Sequence, residues 1–210
     1  MERTDEGSRL RPAKRAAIVA GALEVFAREG FPRSSIDAIA TASGVSTRTI
    51  YKHFTDKAAL FAAVVADSAT RVADEETALI EHHLGDVTRP DQVEPALIAF
   101  ATAWLSSGVA PQGPQALLRQ ALSDTAHLDA ATVTAWWEAG PGRVRAELAA
   151  HLGRWSRDGL LRIPDPERAA VHFAQLVAAT PGPPAAPPSP REREIWVAAG
   201  VHAFVRGHHP

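Results

Sequence analysis

The sequence predicts an all-α protein. Alanine supplies 42 of the 210 residues, and Trp, Tyr and Phe together only 13. High alanine with scattered Leu and Val favours helix over sheet. No run of alternating β-branched residues marks a strand, whereas apolar residues recur at helical spacing between glycine, proline and serine stops. At 22.4 kDa the chain is long enough for one large domain or two small ones with a real core.

The elements follow in order. Residues 1–10 read as a loose tail. A helix is expected from about Pro12, a good first-turn residue, to Glu29, with Ile18, Ala22, Val25 and Phe26 on one face and Gly30 as its stop. Ser34 to Asp37 places a carboxylate three residues after a hydroxyl, a capping box that opens a short helix with Ile36, Ile39 and Ala40 inward. Gly44 ends it. Ser46 caps a third helix, Thr47 to about Phe54, with Ile50 and Phe54 on the buried side. Asp56 caps a fourth, whose inner stripe is Leu60, Phe61, Val64, Val65, Ser68 and Val72. Further helices are expected at about 56–84, 91–107, 114–125, 129–157 with a break at Gly140-Pro141-Gly142, 165–180 and 192–206. Between the last two, residues 181–190 are six-tenths proline and read as an extended spacer.

Two short helices joined by Ala42-Ser43-Gly44-Val45 form a helix-turn-helix, with Gly44 free to adopt the left-handed conformation at the turn. The second helix presents Thr47, Arg48, Thr49, Tyr51, Lys52 and His53. Two cations, hydroxyls and a ring with almost no acid suit a helix in the major groove of double-stranded DNA. On spacing alone the same residues also describe an ordinary solvated helix. The whole chain carries a net charge of −2, so any basic surface is local. Residues 1–57 hold 10 Lys or Arg against 7 Asp or Glu, and all three lysines, Lys14, Lys52 and Lys57, lie there.

Other classes find little support. There is no cysteine, which excludes disulfides, thiolate metal sites and a Cys nucleophile. No phosphate loop, dinucleotide fingerprint or Gly-x-Ser-x-Gly elbow is present, so no catalytic residue, cofactor or metal is assigned. His82-His83 and His208-His209 read as surface histidines. The charged N-terminus lacks a signal peptide's apolar core, and no apolar run approaches the roughly 18 residues of a spanning helix, so a cytoplasmic protein away from the membrane is expected.

A gapless stretch of about fifty residues then carries a resemblance. Ala17-Ile18-Val19, Ala22 to Phe31, Ser35 to Ala40, Ala42 to Ser46, Ile50 to Phe54 and Lys57 closely resemble the DNA-binding head of TetR-type transcriptional regulators. The resemblance implies three domains: a flexible tail (1–10), a helix-turn-helix head (11–57) and a helical effector-binding and dimerisation domain (58–210). It implies a homodimer on a palindromic operator that usually represses and is released by a small molecule. It also implies that Tyr51, His53 and Lys57 contact phosphates, that Ser35 caps its helix or contacts a phosphate, and that Arg48 and Thr49 sit where base readout varies. Where the family often has glycine, this chain has Arg48. Arg9, Arg11 and Lys14 follow the minor groove or are simply solvated, the second reading being preferred.

The second domain resembles the family more softly, at Leu117 to Gln120, Trp136 to Pro141 and Arg157 to Ala170. Trp104, Trp136, Trp137 and Trp196 fall in helices expected to be buried, and Trp155 near a helix end. Adjacent Trp136 and Trp137 are about 100° apart on a helix, so both cannot face one core layer. With Phe100, Trp104 and Phe173 they suggest an aromatic-lined effector pocket, with His172 either a polar contact or simply hydrogen-bonded in place. In the family the last two helices pair with their mates. Here 165–180 and 192–206 carry Val171, Phe173, Leu176, Val177, Ile195, Trp196, Ala199, Val201 and Phe204 for that purpose. A constitutive DNA-binding protein without a ligand, or an activator, are the alternatives.

Overall fold

The computed structural model describes residues 3–107, 130–178 and 188–209. These form α1 (Arg3–Arg33), α2 (Ile36–Ser43), α3 (Thr47–His53), α4 (Lys57–Leu84), α5 (Pro90–Ser107), α6 (Ala130–Ala139), α7 (Pro141–Arg157), α8 (Pro166–Ala178) and α9 (Pro190–Gly207). No strand occurs among the described residues. The expected helix at 114–125, the softer resemblance at Leu117 to Gln120 and the spacer over 181–187 lie outside them. No described helix is long and apolar enough to cross a membrane.

By packing, the described residues divide into two units. One comprises residues up to Val72 together with α6 through Gly140. The other runs from Ala73 to Ser107 and from Pro141 onward. The division falls after Val72, inside α4.

The first unit is built on one apolar cluster. Ile18, Val25 and Phe26 of α1, Ile39 of α2, Ile50 of α3, Phe54, and Leu60, Phe61 and Val64 of α4 are all buried in it. Phe26 and Phe61 meet edge to face at 4.9 Å, and Phe31 lies 4.9 Å from Phe61. Gly30 breaks the helical path at φ 75° and swings Phe31 into this group. The expected tail is helical from Arg3, since Arg3 to Arg11 holds no proline and Gly7 costs a helix only about 1 kcal/mol; Pro12 lies within α1 instead of opening it. The cap of α2 also differs. Ser35, not Ser34, accepts from the Ala38 amide, while Ser34 is buried and donates to the Phe31 carbonyl. Asp56 caps α4 as expected, through the Ala59 amide at 2.7 Å.

Gly21 permits the contact of α1 with α2. A methyl group there would lie 2.8 Å from the Ser43 amide nitrogen and closer still to its hydroxyl. α6 joins the unit through Trp136, which packs against the cluster, and Gly140, where an added methyl would sit 3.0 Å from the Ala69 methyl.

In the second unit α8 packs between α7 and α9, and α9 also meets α5. The α7 face Val144, Leu148, Leu152 and Trp155 closes on Phe173 and Val177 of α8, Val201 and Phe204 of α9, and Leu97 and Phe100 of α5. The tryptophans divide differently from expectation. Trp155 is the fully buried one, because its α7 position continues the inner stripe. Trp137 and Trp196 are about two-fifths exposed. The proline-rich stretch also ends earlier than expected. Pro190 opens α9, and Ser189 and Glu192 form a reciprocal capping box before it. At Gly200 a methyl group would lie 2.5 Å from the Leu176 carbonyl oxygen, so glycine sets the approach of α9 to α8.

His151 of α7 is the buried titratable residue of this core. Arg154 can only donate, so the 2.6 Å contact to Nδ1 marks that nitrogen as an acceptor and the ring as neutral. Burial, then the Arg154 charge, lower its pKa below the usual 6.5, against the pull of Glu81 and Glu147.

Two expectations follow. Gly21→Ala and Gly200→Ala each force backbone apart and should destabilise by about 1–3 kcal/mol, read as a lower urea midpoint at unchanged slope. His151 has a depressed folded pKa, so its contribution is complete above the unfolded value and lost as pH falls through it toward the folded one. Stability should therefore decline below about pH 6.5, and His151→Gln should flatten that decline in a pH series of urea titrations.

Candidate nucleic-acid interface

The turn between α2 and α3 is closed by backbone geometry. Gly44 adopts φ 62° and ψ 30°, its amide donates to Thr41, and the Val45 amide donates to Ala40 at 3.0 Å. This is a Schellman cap, and Val45 packs onto the apolar cluster beside it. Ser46 then caps α3. Its hydroxyl accepts from the Thr49 amide at 3.2 Å and pairs with the Thr49 hydroxyl at 2.9 Å.

With Ile50 buried in α3 and Phe54 buried just after it, the opposite face of the helix is turned to solvent. Arg48, Tyr51 and Lys52 are exposed there, and Thr47, Thr49 and His53 are half-buried. No acid lies in the first turn of α3, and Lys52 and His53 occupy its last turn, where cations suit the helix dipole. Arg48 and Lys52 are exposed and form no ion pair among the described residues, so both are open to an anion or a base edge. Thr49 is less free, since its hydroxyl already answers the cap.

Ser35 and Lys57 are held by the fold. Ser35 caps α2, and its exposed hydroxyl keeps donor capacity. The Lys57 ammonium donates to the Phe31 carbonyl at 2.8 Å and the Ser34 carbonyl at 2.9 Å, and lies 4.6 Å from the centre of the Phe31 ring. Two of its three donors are thus used in tying the α1–α2 link to the start of α4, and one is left. Residue types alone gave no sign of this tie, because its partners are backbone carbonyls 23 and 26 residues away.

The six residues expected to line an effector pocket fall in both units. Phe100, Trp104, His172 and Phe173 lie in the second. Phe100 stacks on Trp104 at 5.8 Å and on Phe173 at 6.0 Å, and Phe173 meets Phe204 edge to face. Trp104 also donates to Glu76, whose carboxyl is pushed up chiefly by burial, with that hydrogen bond opposing. His172 is exposed on α8. Trp136 and Trp137 lie in the first unit, their rings 6.2 Å apart. A cleft of about 850 Å³ in the second unit is lined by none of the six. It opens between α5, the 159–161 turn and α9, over Val93, Ile98, Leu160, Leu161 and Val205, with Glu94 and His202 paired at its rim. Among the described residues no group of three His, Asp or Glu side chains is placed to hold a metal.

A helix-turn-helix on a three-helix head, followed by a larger helical region, defines a class of bacterial DNA-binding regulators. Residues 18–64 match the family of bacterial regulatory proteins of the TetR type, and residues 95–209 match the C-terminal domain of AefR-like transcriptional repressors. The chain belongs to the TetR family of transcriptional regulators. Members of this family are DNA-binding regulators rather than enzymes, typically repressors with a ligand-responsive C-terminal domain.

Among solved structures, a TetR-family regulator from Mesorhizobium loti is 27% identical, with a TM-score of 0.81 over 95% of this chain and 98% of that one. The flavonoid-responsive regulator FrrA is 24% identical, with a TM-score of 0.71 over 95% and 98%. SmeT, the repressor of the Stenotrophomonas maltophilia multidrug efflux pump SmeDEF, is 18% identical, with a TM-score of 0.58 over 90% and 89%. These last two share the fold. Comparison with curated proteins finds no match.

The two lysines of the head should separate in a stability assay. Lys57→Met removes a charged donor from two carbonyls and should cost about 1.5–3 kcal/mol in urea denaturation. Lys52→Met, on the exposed face, should stay within about 0.5 kcal/mol of the parent.

Proposed function

We propose that this protein is a ligand-responsive repressor that binds a palindromic operator as a two-fold dimer and is released by a small apolar or aromatic effector in the cytoplasm. The observation that carries the DNA-binding part is the solvent face of α3, where Arg48, Tyr51 and Lys52 project without a neighbouring carboxylate from a helix seated in the core. Arg48 is assigned to base readout, with Thr47 and Thr49 beside it. Tyr51, Lys52, His53 and the Ser35 hydroxyl are assigned to phosphates, with Lys57 contributing its one remaining donor.

Dimerisation is assigned to α8 and α9. Leu176 on α8, and Ile195, Trp196 and Ala199 on α9, are exposed although apolar. They form an outward face beside the inward face of Phe173, Val177, Val201 and Phe204. A two-fold dimer reads half-sites about 34–36 Å apart, so a ligand that changes head spacing breaks simultaneous contact. Within the second unit the effector region is assigned to Phe100, Trp104, His172 and Phe173. The likeness to a flavonoid-responsive regulator makes flavonoids the first compounds to try. A constitutive DNA-binding protein is favoured by one observation, the direct ring contacts Phe100–Phe173 and Phe173–Phe204, and it predicts no response to any ligand.

Sedimentation at micromolar concentration should show a dimer, and Trp196→Asp should shift it toward the 22.4 kDa monomer. Arg48→Ala should relax preference at one base position of the operator by about 1–3 kcal/mol, whereas Lys52→Ala should weaken all sequences alike and lower the salt slope by about one. Equal loss across all base substitutions with Arg48→Ala would reassign Arg48 to the phosphates. Operator release by a flavonoid, with a matching shift in tryptophan emission, tests the effector part.

A further inference from the structure

The cleft of the second unit is lined by none of the residues assigned to the effector region, and the fold builds it from three directions. Gly159, at φ 74°, ends α7 and turns the chain, and the Leu160 amide donates back to the Trp155 carbonyl at 2.9 Å. The Arg162 amide donates to the His208 carbonyl at 2.7 Å, which ties this turn to the end of α9. Glu94 of α5 and His202 of α9 meet at 3.1 Å and tie those two helices together at the rim. The walls are therefore set by contacts within the chain before anything enters.

At about 850 Å³ the cleft has the size of a small-molecule site. Val93, Leu160 and Leu161 form its buried back. Ile98 and Val205 are only half-buried on its sides, and Pro90 and Pro95 are exposed. This is aliphatic surface in contact with water, and covering it is favourable. No Phe, Tyr or Trp occurs among the described residues that line the cleft, so a hydrocarbon chain finds close contact there and an aromatic ring finds nothing to stack on.

The charges at the rim are unevenly answered. Asp91 is held by Arg89 through contacts of 3.1 and 2.7 Å, and Glu94 is held by His202. Arg206, in the last turn of α9, is exposed and forms no ion pair among the described residues. A guanidinium presents its donors as a planar fork, which a carboxylate meets with two parallel hydrogen bonds. With both rim carboxylates engaged, the charge left to receive a ligand is the Arg206 cation, beside uncovered aliphatic surface.

We propose that this cleft binds a medium-chain aliphatic carboxylate, with the chain over Ile98 and Val205 and the carboxylate on Arg206. The site is distinct from the effector region around Phe100 and Phe173, and the inference does not depend on the DNA-binding reading.

Octanoate, 1-octanol and octylammonium test this, because they share one chain length and differ in the head group. Each is measured against the full chain by equilibrium dialysis at neutral pH, below the concentration at which it forms micelles. The expected result is saturable binding of octanoate, with octanol weaker and octylammonium weakest. That order is diagnostic, since a chain of net charge −2 would favour the cation if binding were diffuse. Arg206→Gln should weaken octanoate about tenfold and leave octanol unchanged. Arg191→Gln, which removes an exposed arginine of α9 outside the cleft, should leave both unchanged. Val205→Phe narrows the cleft and should weaken all three, with the thermal midpoint of each variant checking that it folds.

Absence of saturable octanoate binding overturns the proposal, as does octylammonium binding as tightly as octanoate. So does an octanoate affinity that Arg206→Gln leaves unchanged; Arg206 would then serve only the end of α9, where a cation suits the helix dipole. Octanoate binding untouched by Val205→Phe would place the ligand outside the cleft and overturn it equally.

Discussion

A seven-residue helix has no stability of its own, since nucleation is not repaid over so few hydrogen bonds. The face of α3 that carries Arg48, Tyr51 and Lys52 therefore depends on Ile50 in that helix, and on Phe54 just beyond it, being seated in the cluster shared by α1, α2 and α4. Everything that fixes this seat acts indirectly on the DNA recognition proposed for that face. The Schellman cap at Gly44 sets the turn, the Ser46 hydroxyl sets the first residue of α3, and the close approach at Gly21 sets how deeply α2 lies on α1.

Lys57 shows how the same head uses charge for structure. Its ammonium joins two carbonyls at the end of the α1–α2 link and lies over the Phe31 ring, so the start of α4 is fastened to the loop that precedes α2. Phe31, Phe61 and Phe26 continue that fastening as an aromatic group inside the cluster. A cation in this place holds the fold first and has one donor left for an anion.

The second unit follows a different logic. Its core is a continuous apolar packing in which α8 lies between α7 and α9, and Phe173 of α8 stacks on Phe100 of α5 and meets Phe204 of α9 edge to face. The apolar residues left outside that packing, Leu176, Ile195 and Trp196, are on the two helices that the proposed dimer uses. Inside it His151 is answered by Arg154 and two glutamates, while the Trp155 indole nitrogen is buried without a partner.

Much of this was legible in the residues. Helical spacing of Ile18, Ala22, Val25 and Phe26, or of Leu60, Phe61, Val64 and Val65, specifies which face is buried, because burial on a helix depends on the 3.6-residue period alone. The stops at Gly30 and Gly44 and the caps Ser46 and Asp56 are local chemistry and were equally readable; the Ser189–Glu192 capping box carried the same local signal within and just after a stretch read as spacer. Tertiary structure alone decided the rest. A tryptophan's burial depends on what faces it, so Trp155 went inside and Trp196 stayed out although both lie in helices. The need for glycine at positions 21 and 200 arises from a second helix passing within reach. The commitment of Lys57 to Phe31 and Ser34, and the want of a partner at Ser68 and Trp136, are facts about neighbours distant in sequence, which no periodicity encodes.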